Sequence, residues 1–443
     1  MFHIDSSEIT RFFSALILLL LCANTLGFIA ERLFIPRVIG EVAGGLILGP
    51  TFIGQIFPDF YTSLFLGFES EGQLFGLIYQ LGLILLMFHT GLKFHTRLKR
   101  EDGKIALSLI IASTTLPFLA GWLFSSMFNI NQFLGSSNNP IALQIVISIS
   151  IAVTSIPVIS KIFLDLGIAH SRFAKIVIFV AGIHDVILWI ALAIASGMVS
   201  SEQTDSSASL FNSLGVTVGF MLLCLLVIPF LLRAITMKKA NFLYRSSFLG
   251  YFILILLILS AASGYLGVDM MFGALLSGIA IKMAFPEELC EKIESSIKGI
   301  SFSFFIPLYF SIVGLGLNLV KDFDILFFLI YLVFTLLVQG IVVYATCRLI
   351  HCDRLTSMNF AVSMNARGGP CIVLATVTYS QGIINEEFFC ILIILALVTS
   401  WFAGSWLKYV LKNGWKLMPG DETITISEGK EQIYYQTVPL ENK

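Results

Sequence analysis

The sequence predicts an all-α polytopic membrane protein of about thirteen transmembrane helices, on three observations. Of its 443 residues 57% are hydrophobic and only 12% charged, with a mean hydropathy of +0.91, whereas soluble domains are about 25% charged. Apolar runs of roughly twenty residues, the length that crosses a bilayer, recur along the whole chain. Lysine and arginine collect in alternate connections between those runs, as they do on the cytoplasmic side of membrane proteins.

The runs lie at 11–30, 36–54, 72–92, 105–128, 140–163, 172–199, 211–233, 246–264, 268–284, 301–320, 325–350, 356–380 and 386–410. The first lacks a basic n-region and reads as a first span rather than a cleaved signal peptide. The ninth is short and glycine-rich. Connections after the odd-numbered runs, the run ends that flank them and the C-terminal tail hold 24 of the 27 basic residues. The opposite side has Arg11 and Lys321, and Arg367 lies inside the twelfth run. This pattern predicts an N-terminus outside and a C-terminus in the cytoplasm.

Several function classes fall away. No basic tract is long enough to hold nucleic acid. No G-x-x-x-x-G-K-[ST] loop occurs, and no G-x-G-x-x-G follows a strand, so transport driven by ATP within this chain is not expected. The acidic connection Ser200–Ser209 reads as a short solvated loop, and the tail 412–443 is too short for a folded regulatory domain. Seven scattered cysteines, Cys22, Cys224, Cys290, Cys347, Cys352, Cys371 and Cys390, form no C-x-x-C pair. They read as small buried hydrophobes, with neither disulfide nor metal cluster expected. No cofactor is expected.

The stretch A-G-I-H-D-V-I-L-W, Ala181 to Trp189, places His184 and Asp185 in the middle of the sixth apolar run. An ionised aspartate at the centre of a membrane helix costs roughly 2.5 to 3.5 kcal/mol on insertion scales, so such a residue is a functional candidate by default. Two other runs are interrupted at mid-depth. The fifth carries Thr154-Ser155-Ile156-Pro157, where Pro157 removes a backbone donor and biases Ile156 away from helix. The twelfth carries Asn365-Ala366-Arg367-Gly368-Gly369-Pro370.

These breakers lie seven runs apart, and an odd offset gives them opposite orientations in the membrane. The same offset pairs the fourth run with the eleventh and the sixth with the thirteenth. Inverted repeats with facing discontinuous helices are the geometry in which secondary transporters build a midplane site. Unwinding frees carbonyls for a dehydrated cation, Thr154 and Ser155 add hydroxyls near Asp185, and Arg367 would offset two half-helix C-terminal ends. Each residue also admits a purely structural reading. Pro157 can simply kink a helix, Arg367 can be a buried counterion for Asp185, and His184, like His89, can be a hydrogen-bonded packing residue.

Six stretches in order resemble the cation:proton antiporter superfamily, in particular the branch with bacterial sodium/proton exchangers and glutathione-gated potassium efflux transporters. They are I-G-E-V-A-G-G-L-I-L-G-P at Ile39–Pro50, L-G-L-I-L-L-M-F at Leu81–Phe88, T-S-I-P-V at Thr154–Val158, His184-Asp185, F-F-I-P-L-Y-F at Phe304–Phe310 and M-N-A-R-G-G-P at Met364–Pro370. The resemblance covers nearly the whole membrane region. It implies a sodium/proton antiporter fold over residues 1–411, with crossed discontinuous helices 5 and 12 and a cytoplasmic tail at 412–443. The implied scaffold and dimer part is approximately 11–92 and 246–320, the transport core approximately 105–199 and 325–410, and the linker helix 211–233. The core would move against the scaffold as an elevator. Asp185 would bind a monovalent cation and a proton in competition, completed by Thr154 and nearby backbone. A homodimer in a bacterial cytoplasmic membrane is expected.

Two of the departures from the family pattern bear on stoichiometry. Sodium-transporting relatives often have Asp-Asp or Asn-Asp where His184-Asp185 stands, and potassium efflux relatives Gln-Asp. Electrogenic relatives carry a buried lysine in helix 11, whose place is taken here by Gln339. With one carboxylate and no lysine, a minimal cycle exchanges one proton for one cation and moves no net charge. An unperturbed histidine titrates near neutrality, so His184 could carry a second proton or sense pH. No nucleotide-binding domain is expected in this chain, so gating of the kind seen in potassium efflux relatives would need a separate regulatory subunit.

The leading expectation is therefore an antiporter of potassium or sodium against protons, and not an enzyme. A channel would need a filter such as T-V-G-Y-G, absent here. A sensor that had lost transport would be expected to lose Asp185, and a sodium-coupled solute symporter would need a more polar cavity.

Overall fold

A computed structural model of the chain describes residues 6–32, 35–67, 71–93, 100–201, 207–236 and 241–421. Of the loop Ser200–Ser209, residues 202–206 lie outside the described residues, as does the tail from 422 on.

Among the described residues the chain forms twenty α-helices. They are α1 (Ser6–Arg32), α2 (Arg37–Leu48), α3 (Ile53–Ile56), α4 (Pro58–Phe65), α5 (Glu71–Leu92), α6 (Arg100–Met127), α7 (Pro140–Ala152), α8 (Ile156–Asp165), α9 (Arg172–Ser201), α10 (Ser207–Leu222), α11 (Ile228–Thr236), α12 (Phe242–Ser246), α13 (Phe248–Tyr265), α14 (Met270–Ala284), α15 (Glu287–Ile300), α16 (Ile306–Leu315), α17 (Ile325–Leu349), α18 (Arg354–Ser363), α19 (Gly368–Ser380) and α20 (Glu386–Lys412). One π-turn joins α10 to α11 and another joins α15 to α16.

Among the described residues eleven segments are long and apolar enough to cross a membrane, and α7 and α14 are shorter apolar helices of 13 and 15 residues. The count of thirteen full spans is therefore not met by length. At 1.5 Å per residue α14 reaches only about 22 Å, against a hydrocarbon core of about 30 Å. α7 stops early because the chain unwinds at Val153 and resumes as α8. The twelfth predicted run likewise becomes two helices, α18 and α19, which together are almost wholly buried.

The chain divides into two compact units, one of residues Met1–Phe94 and Leu192–Phe323, the other of His95–Ala191 and Asp324–Lys443.

In the first unit, packing is set by backbone approach. A Cβ on Gly40 would lie 2.2 Å from the Leu26 carbonyl oxygen of α1, and one on Gly45 only 1.7 Å from the Ser311 carbonyl oxygen of α16. Gly40 and Gly44 thus form one small face on α2, towards α1, while Gly45 and Gly49 form another, towards α16. Between helices in lipid there is little hydrophobic driving force, so small residues that let backbones touch supply the association. The glycine-rich motif of Ile39–Pro50 is a two-sided packing surface. Buried Glu41 between these faces is held by Arg37 Nε at 2.8 Å.

The second unit holds two sets of three membrane segments: α6, α7 with α8, and α9 as far as Ala191; then α17, α18 with α19, and α20. Polar caps begin several of them. Asn139 accepts from Ala142 N–H and Asn385 from Phe388 N–H, at 2.9 and 3.0 Å, each cap contributing about 1 kcal/mol. The loops that precede α7 and α20 pair with one another: Gly135 N–H donates to Ile383 O at 3.1 Å and Asn385 N–H to Phe133 O at 3.0 Å. The start of α9 is capped from far along the chain, because Asp421 accepts from the Arg172 N–H at 2.7 Å.

Candidate cation-binding site

All the site residues proposed from the sequence fall in the second unit. The two interruptions are in contact. Ser155 N–H donates to the Ala366 carbonyl at 2.8 Å, and the Thr154 hydroxyl donates to the Met364 carbonyl at 2.6 Å. Backbone groups that helix breaking leaves open at one interruption are thus satisfied at the other, as a membrane interior requires. Ser155 Oγ accepts from Val158 N–H at 3.4 Å, and Pro157 is the second residue of α8.

The second interruption needs glycine. Gly368 has φ +39°, and a Cβ there would stand 2.1 Å from Val158 Cγ2. Conformation and space both exclude a side chain. Gly369 and Pro370 follow, buried, in the first turn of α19.

Arg367 is fully buried. Its Nε donates to Ser150 O at 2.9 Å and Nη2 to Ile151 O at 2.9 Å, both in the last turn of α7. Nη1 donates to the carbonyl and to Oδ1 of Asn365, each at 3.1 Å, and Nη2 reaches Thr335 O of α17 at 3.4 Å. The guanidinium therefore covers the negative ends of α7 and α18 together. Among the described residues no ion pair joins it to Asp185. The fixed fork of five donors suits a set of diverging carbonyls in a way an ammonium does not.

Asp185 and His184 leave α9 in different directions. Asp185 is 3% exposed and neither carboxylate oxygen has a hydrogen-bond partner. The N–H of Ile156, the first residue of α8, faces the carboxylate without closing a hydrogen bond of normal geometry. The acid thus sits at the positive end of a half-helix, where a negative charge is favoured. His184 instead meets α6, with Nε2 3.1 Å from Ser113 Oγ. The Ser113 hydroxyl spends its proton on the Leu109 carbonyl, so it accepts from His184 Nε2–H, and Nδ1 is left without a partner. Gln339 is buried in α17 with both amide atoms unpartnered.

Three participants carried no strong local signal. Tyr331 is fully buried, with its hydroxyl 2.6 Å from Ser150 Oγ and donating to Ile147 O at 3.2 Å. Ser113 and Met364 complete the set. A search for every hydroxyl at mid-depth would have raised Ser113 and Tyr331. Met364 acts through its carbonyl, which side-chain chemistry does not mark.

A carboxylate whose lone pairs are all free, buried beside the contact of two broken helices and next to donors already committed elsewhere, can take a proton or a cation but not both. This fold and site define a polytopic helical membrane protein built around two broken helices in contact. The model of the family described as "Sodium/hydrogen exchanger, transmembrane" matches residues 15–413, and the chain belongs to that family. It is 29% identical over 415 residues to K(+)/H(+) antiporter 1 of Saccharomyces cerevisiae, covering 90% of this chain and 46% of the yeast protein. It is 27% identical to Na(+)/H(+) antiporter NhaS4 of Synechocystis sp., covering 89% and 96%. The chain spans about half the length of several curated relatives that it matches, the yeast protein among them. The fold is similar to that of the sodium proton antiporter MjNhaP1 from Methanocaldococcus jannaschii, with a TM-score of 0.59, 17% identity, and coverage of 90% of this chain and 97% of that one.

Proposed function

We propose that this protein exchanges potassium or sodium for protons across a membrane, with Asp185 carrying cation and proton in alternation. The observation that carries the reading is the Asp185 carboxylate, buried with both oxygens unpartnered beside Ile156 N–H. When a cation occupies the acid, Thr154 Oγ1 and Ser155 Oγ have lone pairs to add. Arg367 and Asn365 hold the crossing that shapes the site, and Gly368, Gly369 and Pro157 allow it to form. Relatives named as K(+)/H(+) and Na(+)/H(+) antiporters support both ions. The absence of a second acid at position 184 favours potassium.

Exchange is electroneutral in this reading. α17 contains no lysine, Gln339 standing at the position assigned to it by resemblance, and one acid trades one proton for one monovalent cation. His184 is a positioning residue that anchors α9 to α6 through Ser113. The division into two units supports an elevator cycle, in which the unit holding Asp185 moves and the other is the scaffold of a homodimer. The N-terminus lies outside and the tail in the cytoplasm, the basic residues supplying the argument.

The test is reconstitution in proteoliposomes with an internal pH dye and sodium, potassium or lithium outside. Proton movement that vanishes in Asp185→Asn supports the reading, and the preferred ion names the substrate. No proton movement with any ion in the wild type overturns it in favour of a sensor. A rate that follows an imposed membrane potential, worth about 2.3 kcal/mol per charge per 100 mV, overturns electroneutrality alone.

A further inference from the structure

The end of α17 brings together two cysteines that sequence spacing did not connect. The Cys352 N–H donates to the Cys347 carbonyl at 2.9 Å and the His351 N–H to the Arg348 carbonyl at 3.1 Å. His351 between them is left-handed, with φ +66°. These are the two bonds and the left-handed residue of a Schellman turn, in which the side chain just past the left-handed residue meets the one five positions back. Those two side chains are Cys352 and Cys347. Their thiols interact across the turn.

The two sulfurs differ in access and in charge. Cys347 is fully buried and Cys352 half-buried. The Arg172 and Arg348 guanidinium groups face Cys352, and Arg348 Nη1 also donates to its carbonyl at 2.5 Å. Chiefly the bond with Cys347, and then these two cations, hold the Cys352 thiol down at about 7, against the opposing effects of burial and Asp353. A thiolate of that kind, accessible and backed by a second thiol, is the arrangement of an oxidisable pair.

We propose that Cys347 and Cys352 form a reversible disulfide on exposure to a hydroperoxide, Cys352 attacking first and Cys347 resolving. In the first step the Cys352 thiolate sulfur attacks a peroxide oxygen. The O–O bond breaks, Cys352 becomes a sulfenic acid, and the departing hydroxide or alkoxide takes up a proton. In the second step the Cys347 sulfur attacks the Cys352 sulfur. The S–S bond forms, the S–O bond breaks, and the hydroxyl leaves as water with the Cys347 proton. The bond fixes the turn between α17 and α18 one residue before Asp353, whose carboxylate caps α18 by accepting from Thr356 N–H at 3.0 Å. α18 leads directly to Met364 and the crossing.

The test uses the full chain in detergent, treated with hydrogen peroxide in the presence of dimedone. Free thiols are blocked with light N-ethylmaleimide, and the protein is then reduced and labelled with heavy N-ethylmaleimide. Trypsin, cutting after Arg348 and Arg354, isolates Cys352 in the six-residue peptide Leu349–Arg354. In the wild type Cys352 acquires heavy label and little dimedone, at a rate that rises as pH passes through about 7. In Cys347→Ser the heavy label is lost and dimedone appears on Cys352. The proposal is overturned if Cys352 keeps the light label in peroxide, if the wild type traps dimedone as fully as the variant, or if heavy label persists in Cys347→Ser. The readout is chemical and independent of transport.

Discussion

The Ser155 N–H donates to the Ala366 carbonyl at 2.8 Å, so the interruption after α7 and the one after α18 share a backbone hydrogen bond. Each break supplies what the other lost. The Thr154 hydroxyl on Met364 O adds a second link, and Arg367 a third, by covering carbonyls at the ends of α7 and α18. Positive charge therefore serves the two C-terminal half-helix ends, while the acid of Asp185 faces the N-terminal end of α8. This division of charge is the reason the buried pair need not form a salt bridge.

Asp185→Asn is expected to abolish exchange and to raise thermal stability. A buried carboxyl with no hydrogen-bond partner carries a desolvation cost, and its replacement by a neutral amide of the same shape should gain about 1 kcal/mol. Proton flux in proteoliposomes and thermal unfolding of the detergent-solubilised protein read the two effects. A loss of transport with a lower melting temperature would show a structural role instead.

Arg367→Ala should destabilise the protein by about 3 kcal/mol or more, since it strands carbonyls of Ser150, Ile151 and Asn365 in the interior. Arg367→Lys should recover only part of this, because one ammonium cannot reproduce the fork. Unfolding midpoints of the two variants decide it, and equal midpoints would contradict the geometry.

Gly45→Ala should prevent correct packing of α2 on α16, its Cβ falling 1.7 Å from Ser311 O. Gly76→Ala in α5 meets nothing within 4 Å. It should be neutral or stabilising by up to about 1 kcal/mol, the difference in helix propensity. Fluorescence size-exclusion profiles after heating separate the two alanines.

His184→Gln retains a donor for Ser113 and should leave the pH profile of exchange in place. Ser113→Ala strands His184 Nε2–H and should cost about 1 to 3 kcal/mol. A displaced pH midpoint in His184→Gln would assign a second proton to this histidine.

The breaks and the acid were legible in the sequence for local reasons. Pro157, Gly368 and Pro370 act on their own backbone, and Asp185 stands out because its neighbours are apolar. The end points of the buried donors were not legible. Nothing in M-N-A-R-G-G-P tells whether Arg367 reaches carbonyls or a carboxylate, and nothing in I-H-D-V tells that His184 turns to Ser113 of α6. The same holds for Cys347 and Cys352, whose meeting depends on a left-handed His351 where glycine is usual.

By itself, then, the sequence determined the membrane class, the order of the segments, the two interruptions and the solitary acid, because hydropathy and helix breaking are properties of short stretches. Tertiary structure alone decided which carbonyls Arg367 covers, that α7 and α14 stay short, and that Asp185 keeps both oxygens free. Those outcomes depend on which helices touch, and in lipid that is settled by backbone contacts such as Gly45 on Ser311 rather than by any local preference.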